Sequence, residues 1–261
     1  MTQPQAPVQT EGIPPEVQAA MVAAMAVVVL SAIQTFLDRA HRLVFAQFSS
    51  GGSLDPQAIQ NLDGFWTELV DGLMPDLLRA MRTGWFQAAR DLGLDIPFDP
   101  SNPIIQEQVQ ATRNLLVNID SQIYEMVVRI IADGMDQGWT RDEIADRVDE
   151  VLSVSGSPNW PNRAQVIAQT EVGRFARAGE YAYARTWSLR TGRRLVKVWV
   201  DRDDNRVRPA HRRADGQVRE LTELFDVGGS MIPYPGHWSG LPHDVINERC
   251  AMVIREARRA R

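Results

Sequence analysis

Three of the four histidines and the one cysteine fall between positions 211 and 250: His211, His237, His243 and Cys250, with Asp215, Asp244 and Glu248 interspersed. Imidazole, thiolate and carboxylate are the ligand types of a tetrahedral zinc site, so His211, His237, His243, Glu248 and Cys250 are the candidate metal ligands. No pair has the two-to-four-residue separation of a zinc-finger knuckle. Hydrogen-bonded histidines that pack loops are the simpler expectation. No cofactor is expected, and zinc is the one candidate. A single cysteine rules out an internal disulfide and any zinc site built mainly from thiolates. It gives no sign of an oxidising compartment.

Nucleophilic chemistry has less support. Ser230 lies between Gly229 and Met231, with His237 seven residues on, but no Gly-x-Ser-x-Gly elbow surrounds it. A serine after two glycines is the ordinary composition of a turn. Gly228-Gly229 is not followed by Gly-Lys-Ser/Thr, so no phosphate-cradling loop is present. No residue is assigned a catalytic role, and the chain is not expected to be an enzyme.

The densest polar segment is 201–217, with Asp201, Asp203, Asp204, Arg206, Arg208, His211, Asp215 and Gly216. Arginines beside aspartates in a tight loop are expected to pair and hold its shape. Glu171, upstream, is expected to receive Arg206, Arg208 or His211, because a buried charge without a partner costs several kcal/mol.

The elements that would carry these residues follow from periodicity and punctuation. Residues 1–13 are polar and rich in Pro and Gln, which predicts a mobile tail without a secretory leader. Residues 14–153 read as helix throughout. One helix runs to about Phe48, one from Asp55-Pro56 to near Gly72, and one from Pro75 to Gly93. A long helix opens at Ser101-Asn102-Pro103. Thr140 and Glu143 have capping-box spacing. The uncharged run 19–33 has 15 residues, against roughly 20 for a membrane span, and is expected to be a buried helix.

A Ser/Gly/Pro loop at 154–160 marks the expected domain boundary. Beyond it, Arg163 to about Arg190 forms a helix whose stripe Ala164, Ala168, Val172, Phe175, Gly179, Ala182 is small enough for another backbone to approach closely. Alternation then predicts strands at 195–201, 217–221 and 250–255. The fold class is α+β: a helical N-terminal region, then a small C-terminal domain (155–261) with one long helix and a short antiparallel sheet.

Charge divides at the same place. Residues 1–150 hold nine Arg, no Lys and 21 acids, a net −12; residues 151–261 hold 19 basic residues and 12 acids, a net +7. An acidic half repels nucleic acid, and a basic half can meet DNA or an acidic protein surface. Two solvated surfaces of different composition explain the split equally well.

The C-terminal region resembles the Mu F-like head morphogenesis family, the minor head proteins of tailed phages. The resemblance rests on Arg163-Ala164 and Ile167-Ala168-Gln169-Thr170-Glu171. It continues through Lys197-Val198-Trp199, Asp203-Asp204-Asn205-Arg206-Val207-Arg208, His211 and Asp215-Gly216-Gln217. It ends with Phe225, Pro233-Tyr234-Pro235-Gly236, Pro242 and Val245-Ile246-Asn247-Glu248-Arg249-Cys250. The run covers residues 160–256, and the helical region before it looks specific to this branch. The resemblance marks Thr170, Glu171, Asp204, Arg206, Arg208, His211, Asp215, Gly216, Asn247, Arg249 and Cys250 as the binding or structural motif. The family commonly closes on Asn-Cys-Arg-Cys, and Glu248 replaces the first of those cysteines here. A Cys-x-Cys role therefore does not carry over intact. Either Glu248 substitutes as an oxygen ligand or no metal is held.

The resemblance implies a minor capsid protein, in few copies inside the virion head after assembly in the host cytoplasm. Its implied partners are the portal protein, scaffold or major capsid protein, and packaged double-stranded DNA. Membrane contact would be confined to genome ejection. The competing classes are a capsid maturation protease or toxin-like effector enzyme, and a plain DNA-binding module.

Overall fold

The computed structural model describes residues 20, 23–33, 35, 62–140, 143, 144, 146, 147 and 160–257, with the backbone alone at 62–66, 69, 116–128, 131, 132, 135, 136 and 160–164. Residues 23–33 are helical, and Ala26, Val29 and Ile33 are buried at spacings of three and four. Among the described residues no helix is long and apolar enough to cross a membrane. The expected tail, the loop at 49–53 and most of the boundary segment 154–160 lie outside the described residues.

Helix α1 spans Leu62–Leu92 and runs unbroken through Pro75. The expectation of two helices parted between Gly72 and Pro75 is therefore corrected. Proline removes one backbone donor, and burial of Val70, Leu73, Met74, Leu77, Ala80 and Met81 in the core outweighs that loss. Helix α2 spans Pro103–Asp136. Asn102 opens it, its side-chain oxygen accepting from the Ile104 amide at 3.0 Å. The expected capping box forms: the Thr140 amide donates to Glu143 at 2.7 Å and the Glu143 amide donates to the Thr140 hydroxyl at 3.3 Å.

Helix α3, Trp160–Thr191, is the spine of the molecule. Its small stripe brings it against α1 at backbone distance. A Cβ added at Gly179 would lie 1.9 Å from the Met81 carbonyl oxygen, and one added at Gly84 would lie 1.9 Å from the Ala176 carbonyl oxygen. The crossing is thus glycine on backbone in both directions. Trp85, buried beside it, donates from its indole to the Ile96 carbonyl at 2.8 Å and meets Tyr183 edge-on. One apolar cluster continues from Val70, Leu77 and Trp85 through Phe175 and Trp187 to Trp199, Phe225 and Met252. The helical region and the C-terminal region share this core.

Strand β1, Leu195–Val200, lies between β2, Val218–Glu220, and β5, Ala251–Glu256, both antiparallel to it. Its inward residues are Leu195, Lys197 and Trp199, as the period of two requires. A second pair, β3 (Phe225–Val227) and β4 (Ser230–Ile232), forms a hairpin closed by Gly228-Gly229. Both glycines have positive φ, 64° and 100°, which the tight turn needs. Two short helices, α4 (Pro209–Ala214) and α5 (Pro242–Val245), complete the element order. The predicted α+β class stands. The three expected strands are present, and the hairpin and the two short helices are additions to that reading.

Candidate functional site

The N-terminal half of α3, the β1–β2 connection and the segment leading into β5 converge on a buried polar cluster. His211 comes from α4, and Glu248 and Cys250 come from the approach to β5; all three are buried. His211 Nδ1 lies 2.5 Å from Glu248 Oε2 and 3.5 Å from the Cys250 sulfur. Glu248 Oε1 accepts from the Cys250 amide at 2.5 Å. Their potential ligand atoms all fall within 4.8 Å of one another. Trp199 closes the cluster from β1, its ring edge-on to His211 at 5.8 Å.

Three clamps hold this cluster in shape. Thr170 on α3 accepts from the Asn247 amide at 2.8 Å, and Asn247 itself is left-handed, with φ of 55°. Arg208 donates to the Asp244 carbonyl at 3.2 Å and also to the Ile246 carbonyl. Arg249 grips Asp204 with both terminal guanidinium nitrogens, at 2.6 and 2.8 Å, a two-pronged geometry that only arginine supplies. That grip holds the Asp204 carboxyl far below the usual carboxylate range. The 201–217 loop is tied internally as well. Asp215 accepts from the Asp201 amide at 2.8 Å, Asp204 accepts from the Arg206 amide at 2.9 Å, and Gly216, with φ of 71°, donates to the Trp199 carbonyl at 3.0 Å.

The expected partner of Glu171 is corrected. Glu171 does not pair with Arg206, Arg208 or His211; it pairs with Arg174, one turn along α3, at 2.7 Å, and accepts from the Thr112 hydroxyl at 3.0 Å. Both charges are buried, and Arg174 spends a further nitrogen on the Gly236 carbonyl at 2.7 Å. Arg208 is drawn instead to backbone carbonyls and His211 to Glu248, because those partners lie on the segment that packs directly against the loop.

The other histidines sit apart. His237 takes the Ser239 hydroxyl at 2.8 Å on Nδ1 and lies edge-on to Tyr234. Burial, with the Arg174 and Lys197 charges, lowers its pKa to about 4, so it is neutral at physiological pH. His243 has 71% of its side chain exposed. Neither belongs to the His211–Glu248–Cys250 group. Ser230 is buried, donates to Asp244 at 2.6 Å and accepts from the Leu241 amide at 2.9 Å, which is a structural use of its hydroxyl.

Electrostatics within the cluster favour a charged carboxylate. Burial pushes the Glu248 pKa up, but the His211 contact and charge outweigh it and bring it to about 2. The Cys250 thiol is pushed up by burial and by the Glu248 charge. A cleft of about 200 Å³, lined by Gln169, Arg206, Arg208 and Asn247 among others, reaches the cluster from outside.

Sequence reasoning missed the role of Lys197, the one lysine in the chain. It is fully buried, donates to the Pro233 carbonyl at 2.6 Å, and faces the rings of Phe225 and Tyr181. Burial lowers its pKa to about 7. The signal was its alternation with Leu195 and Trp199.

Comparison with known proteins agrees with the geometry. The family described as Phage Mu protein F like protein matches residues 125–253. The chain is 29% identical over 209 residues to Minor head protein GP7 of Bacillus phage SPP1, covering 75% of this chain and 63% of the relative. The chain therefore spans less than two thirds of that relative's length. Coverage of 75% exceeds what residues 155–261 alone could supply, so likeness extends into the helical region that the sequence reading had set aside as specific to this branch. No solved structure matches the chain. Over residues 125–253 the chain is therefore similar to the family described as Phage Mu protein F like protein, and over most of its length to a minor head protein of a phage.

Proposed function

We propose that this chain is a minor head protein of a tailed phage, acting in head assembly or genome ejection, in few copies inside the capsid. The observation that carries the reading is the likeness to a minor head protein over 75% of the chain, together with the Mu F-like match over residues 125–253. The partner we assign is the portal protein, with scaffold or major capsid protein as secondary contacts and packaged DNA beside it. The construction of the site supports binding over catalysis. Thr170, Asp204, Arg208, Arg249 and Ser230 are spent on holding loops, which makes a rigid polar face. Cationic side chains such as Arg206 on the cleft wall can meet DNA phosphates, and such contacts weaken steeply with salt.

The test is co-expression with the portal protein of the same phage, with a tag on either partner. Co-purification from both tags supports the reading. Absence of a complex from both tags removes the portal from it, and retention on double-stranded DNA that declines with salt would then favour a DNA-binding module.

A further inference from the structure

We propose that His211, Glu248 and Cys250 form a zinc site, with Asp244 as its outer carboxylate. The three side chains are all buried, come from two separate segments, and present one nitrogen, one oxygen and one sulfur within 4.8 Å. Hydrogen bonding alone does not satisfy them. Glu248 Oε2 and His211 Nε2 are both fully buried without a hydrogen-bond partner. His211 Nδ1 is only 2.5 Å from Glu248 Oε2, an ion-pair contact whose direction falls short of a hydrogen bond. A buried carboxylate oxygen held only by this poorly directed contact is incompletely satisfied, and a shared cation would take oxygen, nitrogen and sulfur together.

The donor set chooses the ion. Magnesium and calcium take oxygen ligands, whereas a thiolate, an imidazole and a carboxylate suit zinc. The second shell points the same way. His211 Nε2 faces Asp244 Oδ1 at 4.0 Å, and Asp244 is itself held by the Ser230 hydroxyl at 2.6 Å. A metal-bound histidine commonly turns its other nitrogen to a carboxylate. With Nδ1 on the metal, a shift of about an ångström would bring Nε2–H into reach of Asp244. Three protein ligands leave a fourth position, which opens toward the cleft lined by Gln169, Arg206 and Arg208 and admits water or an anion. The ion would tie α4 to the start of β5, two elements otherwise joined through Trp199 and the arginine clamps.

The experiment uses the full chain, incubated with excess zinc chloride, passed through gel filtration and analysed for metal. The expected result is one zinc per chain that stays bound through gel filtration and is removed by a chelator. Cobalt(II) in place of zinc should give thiolate-to-cobalt charge-transfer absorption. Cys250→Ser should abolish that absorption, and His211→Ala should weaken zinc binding at least roughly a hundredfold. Asp244→Asn should weaken it about tenfold, whereas the exposed His243→Ala should leave it unchanged. If a variant fails to fold, the wild-type cobalt spectrum and metal content decide alone. Zinc that elutes away from the wild-type chain, a cobalt spectrum without the thiolate band, or Cys250→Ser binding as wild type would each overturn the proposal.

Discussion

The α1–α3 crossing and the His211–Glu248–Cys250 region are both buried, but they are held by opposite means. At the crossing, Gly84 and Gly179 admit the backbone of the partner helix, and the contact consists of shape. Around the cluster, almost every contact is a polar clamp: Arg249 on Asp204, Arg208 on two carbonyls, Thr170 on the Asn247 amide, Ser230 on Asp244. Shape tolerates no added volume, whereas a clamp tolerates volume but not the loss of a partner. Helix α3 belongs to both systems, with Gly179 and Ala182 on the apolar side and Thr170, Glu171 and Arg174 on the polar side.

The strongest way to break the comparison is at the crossing. Gly179→Leu should cost about 4 kcal/mol or more, because its side chain would have to displace the Met81 carbonyl rather than a flexible neighbour. Chemical denaturation or failure to express folded protein reads this. A loss below about 1 kcal/mol would show that the helices can slide apart.

Next is the buried pair on α3. Glu171→Ala leaves Arg174 buried without its carboxylate and should cost about 3 kcal/mol. Glu171→Gln, which keeps the Thr112 contact, should cost less. Equal losses would mean that the charge accounts for the whole effect and the Thr112 contact for none of it.

Lys197 gives a pH-dependent effect. Its folded pKa of about 7 lies below the ordinary lysine value of 10.5. Between those values the unfolded chain holds a proton that the folded chain lacks, so this lysine's contribution raises stability as pH climbs from about 7 to about 10.5. Lys197→Met should flatten that rise and stabilise the fold at neutral pH by about 1 kcal/mol. Thermal melts at pH 7 and pH 9 test it. An unchanged slope would show that the amine finds water.

The smallest effect is expected at the exposed capping box. Thr140→Ala should cost about 1 kcal/mol or less. A larger loss would mean that this exposed cap supports the core.

The same contrast explains what could be read from the residues. The small stripe of α3 and the alternation of β1 are periodic over many residues, so both elements were legible, and so was the close helix approach. The β3–β4 hairpin consists of two three-residue strands, too short for a period to emerge, and its Gly-Gly turn looked like a plain loop. The split between Gly72 and Pro75 followed local punctuation that packing overrides. At the site, spacing brought His211, Glu248 and Cys250 into view but could not separate them from His237 and His243, because only the fold places β5 beside α4. Glu171 was legible as a buried carboxylate, but its partner was sought in a distant loop when Arg174, three residues away, shares its helix face.

The central claim is that the chain is a head protein present in few copies. Quantitative mass spectrometry of purified proheads and mature virions, with the major capsid protein as the internal standard, tests it most directly. The account predicts that the chain is present in the particle at a small fraction of the capsid protein's copy number. Absence from both particles, or a copy number equal to that of the capsid protein, would contradict it.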